Sequence, residues 1–225
     1  MALNKQFKDV EDAIALFDDT PLLFSPGEEF SYSSLGTVLL SAYMQRAGNR
    51  KFQQLVNELV LQPLGMEETS SQELSAQLAR HYWRSKEDKF SAIREWRAVD
   101  LSHRLAGGGF ASTSSDLVKL GAAYFDQSFL NAETVEKIWQ PQRLNNGEIN
   151  RQNYAIGWRK GTFSFDSGKV PVFHHGGVSR GAQSWLIVFP EQKMSIAINS
   201  NINTKEFSEF SSVYREIASA FLKVN

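Results

Sequence analysis

The amino-acid sequence predicts an α+β fold, in which a mainly helical part is followed by an antiparallel sheet and a terminal helix. Up to about residue 140, apolar residues recur mostly at helical spacing. After that point they form four short runs of strand length, and the last segment, Lys205 to Leu222, returns to helical spacing. No internal repeat or low-complexity linker divides the chain. We therefore treat 1–225 as one unit, with helices and a hairpin at 1–140 and the sheet and terminal helix at 141–225.

Five segments of the helical part have the pattern of a helix. A serine ahead of a helix can accept a hydrogen bond from a free amide of its first turn, so either Ser33 or Ser34 is expected to cap the second segment. Ser114 or Ser115 has the same position before the fourth segment. The predicted helices are Asp9 to Phe17, one from Ser33 or Ser34 to Gly48, Phe52 to Leu61, Asp116 to Tyr124 and Ala132 to Trp139.

Two of these helices have an apolar side that is expected to face the core, because residues three or four positions apart lie on the same side of a helix. Between the third and fourth helices, the glycines from Gly107 to Gly109 are predicted to open a loop. The apolar residues are Val38, Leu39, Leu40, Tyr43 and Met44 in the second helix, and Leu55, Leu59 and Val60 in the third.

The strands are predicted from short apolar runs bounded by turn residues. His81 to Trp96 is expected to form two strands around a charged turn at 85–89. The tight turn at 191–193 should join the last two strands into an antiparallel hairpin. The terminal helix should cover one face of the sheet through Phe207, Phe210, Val213, Ile217 and Phe221. The four strands of the main sheet are predicted at Tyr154 to Lys160, Val170 to His174, Ala182 to Phe189 and Met194 to Ser200.

Composition narrows the class of protein. The 225 residues are 42% hydrophobic and 22% charged, as in an ordinary globular protein. The net charge of -1 argues against nucleic-acid binding, because neutralising phosphates requires an excess of basic residues. With no cysteine, the sequence has no disulfide, thiolate metal site or cysteine nucleophile. No apolar run approaches the roughly 18 residues of a membrane span, and no secretory signal is recognisable at the start.

The segment from Phe173 to Pro190 has the strongest chemical signal. His174 and His175 stand before two glycines, at the end of one predicted strand and shortly before the next. A polar group at such a glycine-rich junction can form one wall of an acyl-transfer site. Because successive side chains of a strand point to opposite faces, the two histidines compete for the position that faces the site. No carboxylate is near them in sequence, so the pair does not predict a metal site.

This segment is the last of four motifs that follow one another along the chain at sensible spacing. The motifs are PGEEFSYSS at 26–34, PLGM at 63–66 with Thr69, AGGGFAST at 106–113 with Asp116 and Leu117, and HGG at 175–177 with Gly181. Through these motifs the chain resembles the serine β-lactamase-like and penicillin-binding superfamily, in its class C and D-aminopeptidase branch, and within it the LACTB-type serine hydrolases. The resemblance runs along nearly the whole chain and implies a β-lactamase/DD-peptidase-like fold and hydrolysis of amide or ester bonds through an acyl-enzyme.

The resemblance assigns catalytic roles to Tyr32 and His175. Tyr32 has the position of the general base or proton relay, whereas a purely structural tyrosine would pack its ring at a helix start and leave its hydroxyl in solvent. His175 corresponds to the first residue of the family's K-T-G or H-T-G triplet, where it lines the pocket and donates to a substrate carboxylate or to the relay. His175 is preferred to His174 because only that register places Gly181 six residues on, as in the family.

Four further residues are predicted to bind substrate. Ser34 stands where the commoner pattern has Asn, and otherwise would be a plain helix cap. Gly176 stands where Thr or Ser is usual, so one hydroxyl donor is lost. Gly177 allows a substrate backbone to lie along the strand edge, and the amide of Val178 is expected to be one oxyanion-hole donor.

The family's nucleophile motif, Ser-x-x-Lys, does not occur anywhere in the sequence. Its closest approaches pair Ser91 with Arg94 and Ser212 with Arg215, and an arginine cannot act as the base. We therefore expect a partial β-lactamase-like domain, a C-terminal portion that lacks roughly the first third of the family's domain. Whether this sequence is by itself an enzyme is left open, and exported or periplasmic localisation is implied only by the bacterial members of the family.

Two hypotheses follow. In the first, the chain is part of a serine hydrolase with a small-molecule or peptide substrate and no cofactor, and it is inactive in isolation. In the second, it is a non-catalytic binding or self-assembling module. An incomplete sheet would then expose a strand edge, which predicts association with a partner strand or with a second copy of the chain.

Overall fold

The computed structural model describes residues 6–17, 21–71, 78–85, 92–97, 100–165 and 168–222. Within them, helices and antiparallel strands form a mixed α+β fold. Residues 86–89 of the predicted hairpin turn lie outside the described residues. None of the described helices is long and apolar enough to cross a membrane.

The helices of the first 140 residues largely follow the predicted pattern. A short 3₁₀ helix (Asp12–Leu16) replaces the longer one expected at Asp9 to Phe17, and the third predicted helix is α only at first, then widens into a π-helical turn (Asn57–Leu61). The α-helices are α1 (Ser34–Gly48), α2 (Phe52–Val56), α3 (Leu105–Gly108), α4 (Ser114–Ala122) and α5 (Ala132–Trp139).

The tertiary structure decides which residues cap two of the helices and what conformation the glycine run at 107–109 has. The hydroxyl of Ser33 caps α1 by accepting from the amide of Gly36 at 3.1 Å, so Ser34 is the first helical residue and not the cap. Thr113, and neither of the two predicted serines, caps α4. The predicted loop at Gly107 to Gly109 is wrong, because α3 includes the first two of these glycines.

Four strands form the main sheet in the order β5-β6-β7-β8, and all neighbours are antiparallel. β7 and β8 have the predicted bounds, and they are joined through the predicted tight turn. The first strand is displaced toward the C-terminus relative to the prediction, and the second extends beyond its prediction at both ends. Pairing with neighbouring strands, and not the local pattern, determines where these two strands end. The strands are β5 (Arg159–Phe165), β6 (Gly168–Ser179), β7 (Ala182–Phe189) and β8 (Met194–Ser200).

Two pairs of two-residue strands lie outside the main sheet. β1 (Ser70–Ser71) pairs with β4 (Phe110–Ala111), which joins the second and third sequence motifs. β2 (Tyr82–Trp83) pairs with β3 (Arg94–Glu95), as predicted for the hairpin.

Both faces of the main sheet are covered by helices. The predicted terminal helix is two helices, α6 (Phe207–Ser211) and α7 (Val213–Phe221), whose Phe210 and Tyr214 pack on one face of the sheet around Ile187. Val213 and Phe221 are exposed, so only part of the predicted apolar stripe packs on the sheet. Val135 and Trp139 of α5 pack on the other face against Phe173, Leu186 and Val188, together with Leu117 and Leu120 of α4. The two apolar faces of β7 explain its continuous apolar run.

Helix α1 departs most from the prediction. Of its five predicted core residues, only Val38 is buried, because the side chains of α1 that face the rest of the described chain are Val38, Ser41 and Ala42. The other four are 45–72% exposed and form an apolar surface that nothing in the described part of the chain covers: Leu39, Leu40, Tyr43 and Met44. We call these four residues the outer face of α1. Leu59 is likewise 61% exposed, and Leu61 is buried instead.

Candidate functional site

The structure brings Tyr32 and His175 together from distant parts of the sequence. Tyr32 lies two residues before α1, in an extended segment, and His175 lies near the end of β6. The centroids of their rings are 5.9 Å apart. The two residues that were singled out as catalytic candidates therefore face the same small volume.

Two residues that the sequence analysis did not select complete this cluster. Tyr154 precedes β5, and its hydroxyl lies 3.2 Å from Nε2 of His175. Its ring contacts that of Tyr32, with the centroids 5.6 Å apart. Arg159 begins β5 and places Nη1 3.3 Å from the same Nε2. A backbone bridge pairs Tyr154 with Arg159, which explains why both reach His175. We call Tyr32, Tyr154, Arg159 and His175 the pocket cluster.

Arg159 supplies a positive charge at a defined place in the pocket cluster. Its guanidinium carbon lies 5.1 Å from the ring centroid of Tyr32 and 5.1 Å from that of Tyr154, a cation–π geometry for both rings. Its Nη2 donates to Oε1 of Gln152 at 3.0 Å. Within the described residues, no carboxylate forms an ion pair with Arg159. No sequence pattern could have revealed Arg159, and the strand register alone would not have done so either, because it pairs Arg159 with His174 and not with His175.

His175 is held neutral by its surroundings. Burial of the ring, and then the charge of Arg159, lower its pKa from the ordinary value of 6.5 to about 4, whereas a hydrogen bond with the backbone of Gly176 acts in the opposite sense. Because Arg159 can only donate, Nε2 of His175 accepts in their contact. Donation from His175 to a substrate carboxylate or to the relay would therefore have to use Nδ1–H.

His174 lies on the other face of β6. Its ring stacks on that of Trp185, with centroids 4.6 Å apart, in the layer that α6 and α7 cover. Burial, and then the charges of Arg159 and His175, lower its pKa to about 4. The alternation of side chains along the strand therefore separates the two histidines, and His175 is the one beside Tyr32.

The missing side chain of Gly176 also points away from the pocket cluster. A Cβ atom there would lie 2.5 Å from Cε3 of Trp185 and 2.6 Å from Cζ of Phe207. The idea that a glycine here removes a hydroxyl donor from the pocket is therefore not supported by the geometry. At Gly177 a Cβ atom would meet nothing within 4 Å, so that face of β6 is open. Val178, the next residue, is 51% exposed.

One side of the end of β6 is available to a substrate backbone. β5 begins at Arg159, opposite His174, so in the described residues β6 pairs only with β7 from His175 to Ser179. Ser179 and Ala182 close the two-residue loop between β6 and β7, and the closing pair of such a loop is hydrogen-bonded. Along an antiparallel strand, residues that bond to the neighbouring strand alternate with residues that do not, so Val178 does not bond to β7. The amide of Val178 consequently points away from β7, toward the open side.

Ser34, the remaining residue predicted to bind substrate, has its described contacts within α1 and against α3. Its carbonyl accepts from the hydroxyl of Thr37 at 2.7 Å. It also lies against α3, where a Cβ atom on Gly107 would come within 2.8 Å of the same carbonyl. None of the contacts described for Ser34 reaches His175.

Comparison with known proteins identifies relatives of the chain in sequence and in fold. The sequence matches the Beta-lactamase family over residues 1–219. It is 30% identical over 224 aligned residues to the mitochondrial serine beta-lactamase-like protein LACTB of Mus musculus. That alignment covers 89% of this chain but 40% of the mouse protein, so the chain spans about two fifths of the length of this curated relative.

Solved structures share the fold at low sequence identity. The octameric penicillin-binding protein homologue from Pyrococcus abyssi has a TM-score of 0.72 at 21% identity, over 96% of this chain and 48% of that one. The D-amino acid amidase from Ochrobactrum anthropi, complexed with D-phenylalanine, has a TM-score of 0.71 at 18% identity, over 96% of this chain and 64% of that one.

Proposed function

Because the chain belongs to the Beta-lactamase family, we propose that it forms the tyrosine and histidine side of a serine hydrolase site that cleaves amide or ester bonds through an acyl-enzyme. The observation that carries the proposal is the contact between Tyr32 and His175 beside the open side of β6. In an acyl transfer, a serine hydroxyl attacks the carbonyl carbon, its proton passes to a base, and the leaving group takes up a proton before water releases the acyl group.

In this proposal each residue of the site has a separate task. Tyr32 relays the proton between the serine and the leaving group, since it is 38% exposed and stands two residues before the start of α1. The amide of Val178 stabilises the negative charge that develops on the carbonyl oxygen. Gly177 leaves room for a substrate backbone beside β6, in the manner of an added strand.

In this proposal the nucleophile and its lysine come from residues outside the printed sequence, because no Ser-x-x-Lys occurs in it. A serine that Tyr32 serves must approach its hydroxyl within hydrogen-bond distance, about 3 Å. A large uncovered apolar surface, the outer face of α1, begins about two turns after Tyr32. We therefore place the segment that bears the nucleophile against α1.

The proposed substrate class is a peptide or an amino-acid amide. An extended backbone fits the open side of β6, where main-chain groups are unpaired and side chains alternate. D-amino acids are included in the proposal because the amidase from Ochrobactrum anthropi, whose fold is similar, is named for them.

Covalent labelling tests the proposal. The isolated chain should not react with a fluorophosphonate or a penicillin, whereas the protein extended by an upstream Ser-x-x-Lys segment should acquire one acyl or phosphonyl group, detected by intact mass. In the extended protein, Tyr32→Phe should slow labelling by about 100-fold or more, as expected for the loss of a proton-transfer group.

Lys160→Gln, which removes an exposed charge on β5, should leave the labelling rate unchanged. Labelling of the isolated chain would show that the nucleophile lies within it and would overturn the assignment. An extended protein that folds and does not label would favour a second candidate, a non-catalytic binding or self-assembling module. The exposed outer face of α1 is the observation that supports this second candidate.

A further inference from the structure

The pocket cluster contains two side chains that could carry its positive charge. Arg159 remains protonated in proteins, while the charge of a histidine depends on its surroundings. Their closest atoms, Nη1 of Arg159 and Nε2 of His175, are 3.3 Å apart. A guanidinium has donors and no acceptor, so this contact requires a lone pair on Nε2. The ring proton is then on Nδ1.

A second donor converges on the same nitrogen. The hydroxyl of Tyr154 lies 3.2 Å from Nε2 of His175. Burial, and then repulsion from Tyr32, raise the pKa of Tyr154, while Arg159 lowers it. The hydroxyl is therefore protonated near neutral pH and is able to donate to Nε2.

Arg159 is held in place from three directions. Gln152 accepts from its Nη2 at 3.0 Å, and the rings of Tyr32 and Tyr154 contact its guanidinium. Its backbone pairs with His174 in the main sheet. A guanidinium anchored in this way presents a fixed donor to His175, which a freely rotating side chain could not do.

We propose that Arg159 is a positioning residue, which holds His175 in the neutral tautomer with its proton on Nδ1 and keeps the positive charge of the pocket cluster on the arginine. His175 then accepts at Nε2 and has only Nδ1–H to donate. In the proposed hydrolase, Arg159 and not the histidine is the cation that an anionic group of a substrate would meet. The assignment concerns the free protein and does not depend on the proposed reaction.

The titratable groups around His175 agree with this assignment. Tyr32 and Tyr154 face it from other segments, Arg159 faces it from β5, and His174 adjoins it on β6 with its ring on the opposite face. No described acidic side chain is among these neighbours. Burial, and then the charge of Arg159, lower the pKa of His175 to about 4, so its ring stays neutral above that pH.

Nuclear magnetic resonance tests the proposal without any substrate. In uniformly ¹⁵N-labelled protein, long-range ¹H–¹⁵N correlations distinguish a protonated from an unprotonated ring nitrogen, and His175→Ala assigns the signals among the four histidines of the sequence. We expect the Nδ1–H tautomer from pH 5 to pH 8, with protonation only near pH 4. In Arg159→Gln the midpoint should rise toward the ordinary value of about 6.5, with both tautomers populated.

Matched variants separate positioning from a general effect on folding. Arg159→Lys keeps the charge but not the planar fork, so the midpoint should remain low while the preference for one tautomer weakens. Gln152→Ala removes the anchor and should have an intermediate effect. Lys160→Gln should change nothing at His175, because Nζ of Lys160 lies near the ring of Phe173, 6.0 Å from its centroid. The buried ring of His103 should be unchanged in all four variants and reports on the fold.

Three results would overturn the proposal. The first is an Nε2–H tautomer of His175 in the unaltered protein, which is decisive even where a variant fails to fold. The second is a charged His175 at pH 6. The third is Arg159→Gln protein whose His103 signal is native and whose His175 keeps the original tautomer and midpoint. Failure of the labelling experiment would leave these measurements unaffected, so the two proposals fail independently.

Discussion

At position 176 the backbone of β6 lies against two aromatic rings of the layer formed by α6 and its neighbours. An added Cβ atom would approach Trp185 and Phe207 closer than real Cβ contacts allow, at 2.5 and 2.6 Å. Trp185 is part of the core around Ile187, and Phe207 packs against that core and against Trp185. Gly176 is thus a packing requirement of this sequence, although it stands inside a motif associated with catalysis.

Gly176→Ala should destabilise the protein by about 1–3 kcal/mol, as expected for overpacking a core. The matched control is Gly177→Ala, the next residue of the same strand, where a Cβ atom would meet nothing within 4 Å. Urea unfolding followed by tryptophan fluorescence measures both. Equal destabilisation by the two substitutions would mean that the aromatic contacts at Gly176 do not determine the effect.

The residues of the candidate site differ in how far the sequence could identify them. Tyr32 and His175 stand in motifs whose residue types have a chemical meaning, and the structure brings them together. Tyr154 and Arg159 do not stand in any motif that the sequence analysis used. They enter the site through side-chain contacts with His175, which depend on the tertiary arrangement of these segments and are not contained in the local sequence of either one.

At the scale of the structural elements, the buried carboxylate of Asp116 connects the sequence motif at 106–113 with the motif that ends at Thr69. Asp116, in the first turn of α4, is fully buried. Its oxygens accept from the hydroxyl of Thr69 at 2.8 Å and the amide of Glu68 at 2.9 Å, and Nζ of Lys119 lies 2.8 Å away. Burial acts to raise the pKa of Asp116, but the hydrogen bonds from Lys119, Thr69 and Glu68 outweigh it and hold that pKa below its usual range.

Asp116→Asn should destabilise the protein by about 2–3 kcal/mol at pH 7, because charge-assisted hydrogen bonds are lost and a buried donor replaces an acceptor. The folded pKa of Asp116 is depressed, so its contribution is present above the unfolded pKa and disappears as the pH falls through the folded pKa. The difference between the two proteins should therefore shrink on acidification from pH 7 to pH 3.

Thermal unfolding at several pH values measures this difference. Glu133→Gln is the matched control, because Glu133 pairs with Lys137 on an exposed surface of α5 and should contribute little. A gap between the Asp116 variant and the unaltered protein that is constant from pH 7 to pH 3 would show that shape, and not charge, accounts for the loss.

At the scale of the whole molecule, the described chain has a well-covered sheet and an uncovered helix. Helices close both faces of the sheet, whereas the outer face of α1 exposes four large apolar side chains. β8 has no strand partner along its outer edge in the described residues. Apolar surface of this kind is typical of a protein that binds another segment or another copy of itself.

The isolated chain should therefore self-associate, and Leu39→Glu with Tyr43→Glu should weaken that association at least about tenfold, because charges replace apolar contacts. Sedimentation velocity over a range of concentrations measures it. Folding stability should change little, since Leu39 is 50% and Tyr43 72% exposed. Val213→Glu with Phe221→Glu, on the exposed side of α7, is the matched control. An equal effect of both pairs would mean that association does not use α1 specifically.

The sequence by itself determined the fold class, the bounds of β7 and β8 and the family, and it singled out Tyr32 and the adjacent pair His174 and His175 as candidates for the site. These depend on local periodicity and on motifs whose chemistry is read directly from residue type. Only the tertiary structure decided which histidine faces Tyr32, what Arg159 contacts, why position 176 has no side chain and which side of α1 is buried. The physical reason is that each of these depends on the register of paired strands or on the packing of distant segments, and periodicity identifies an apolar side without showing what covers it.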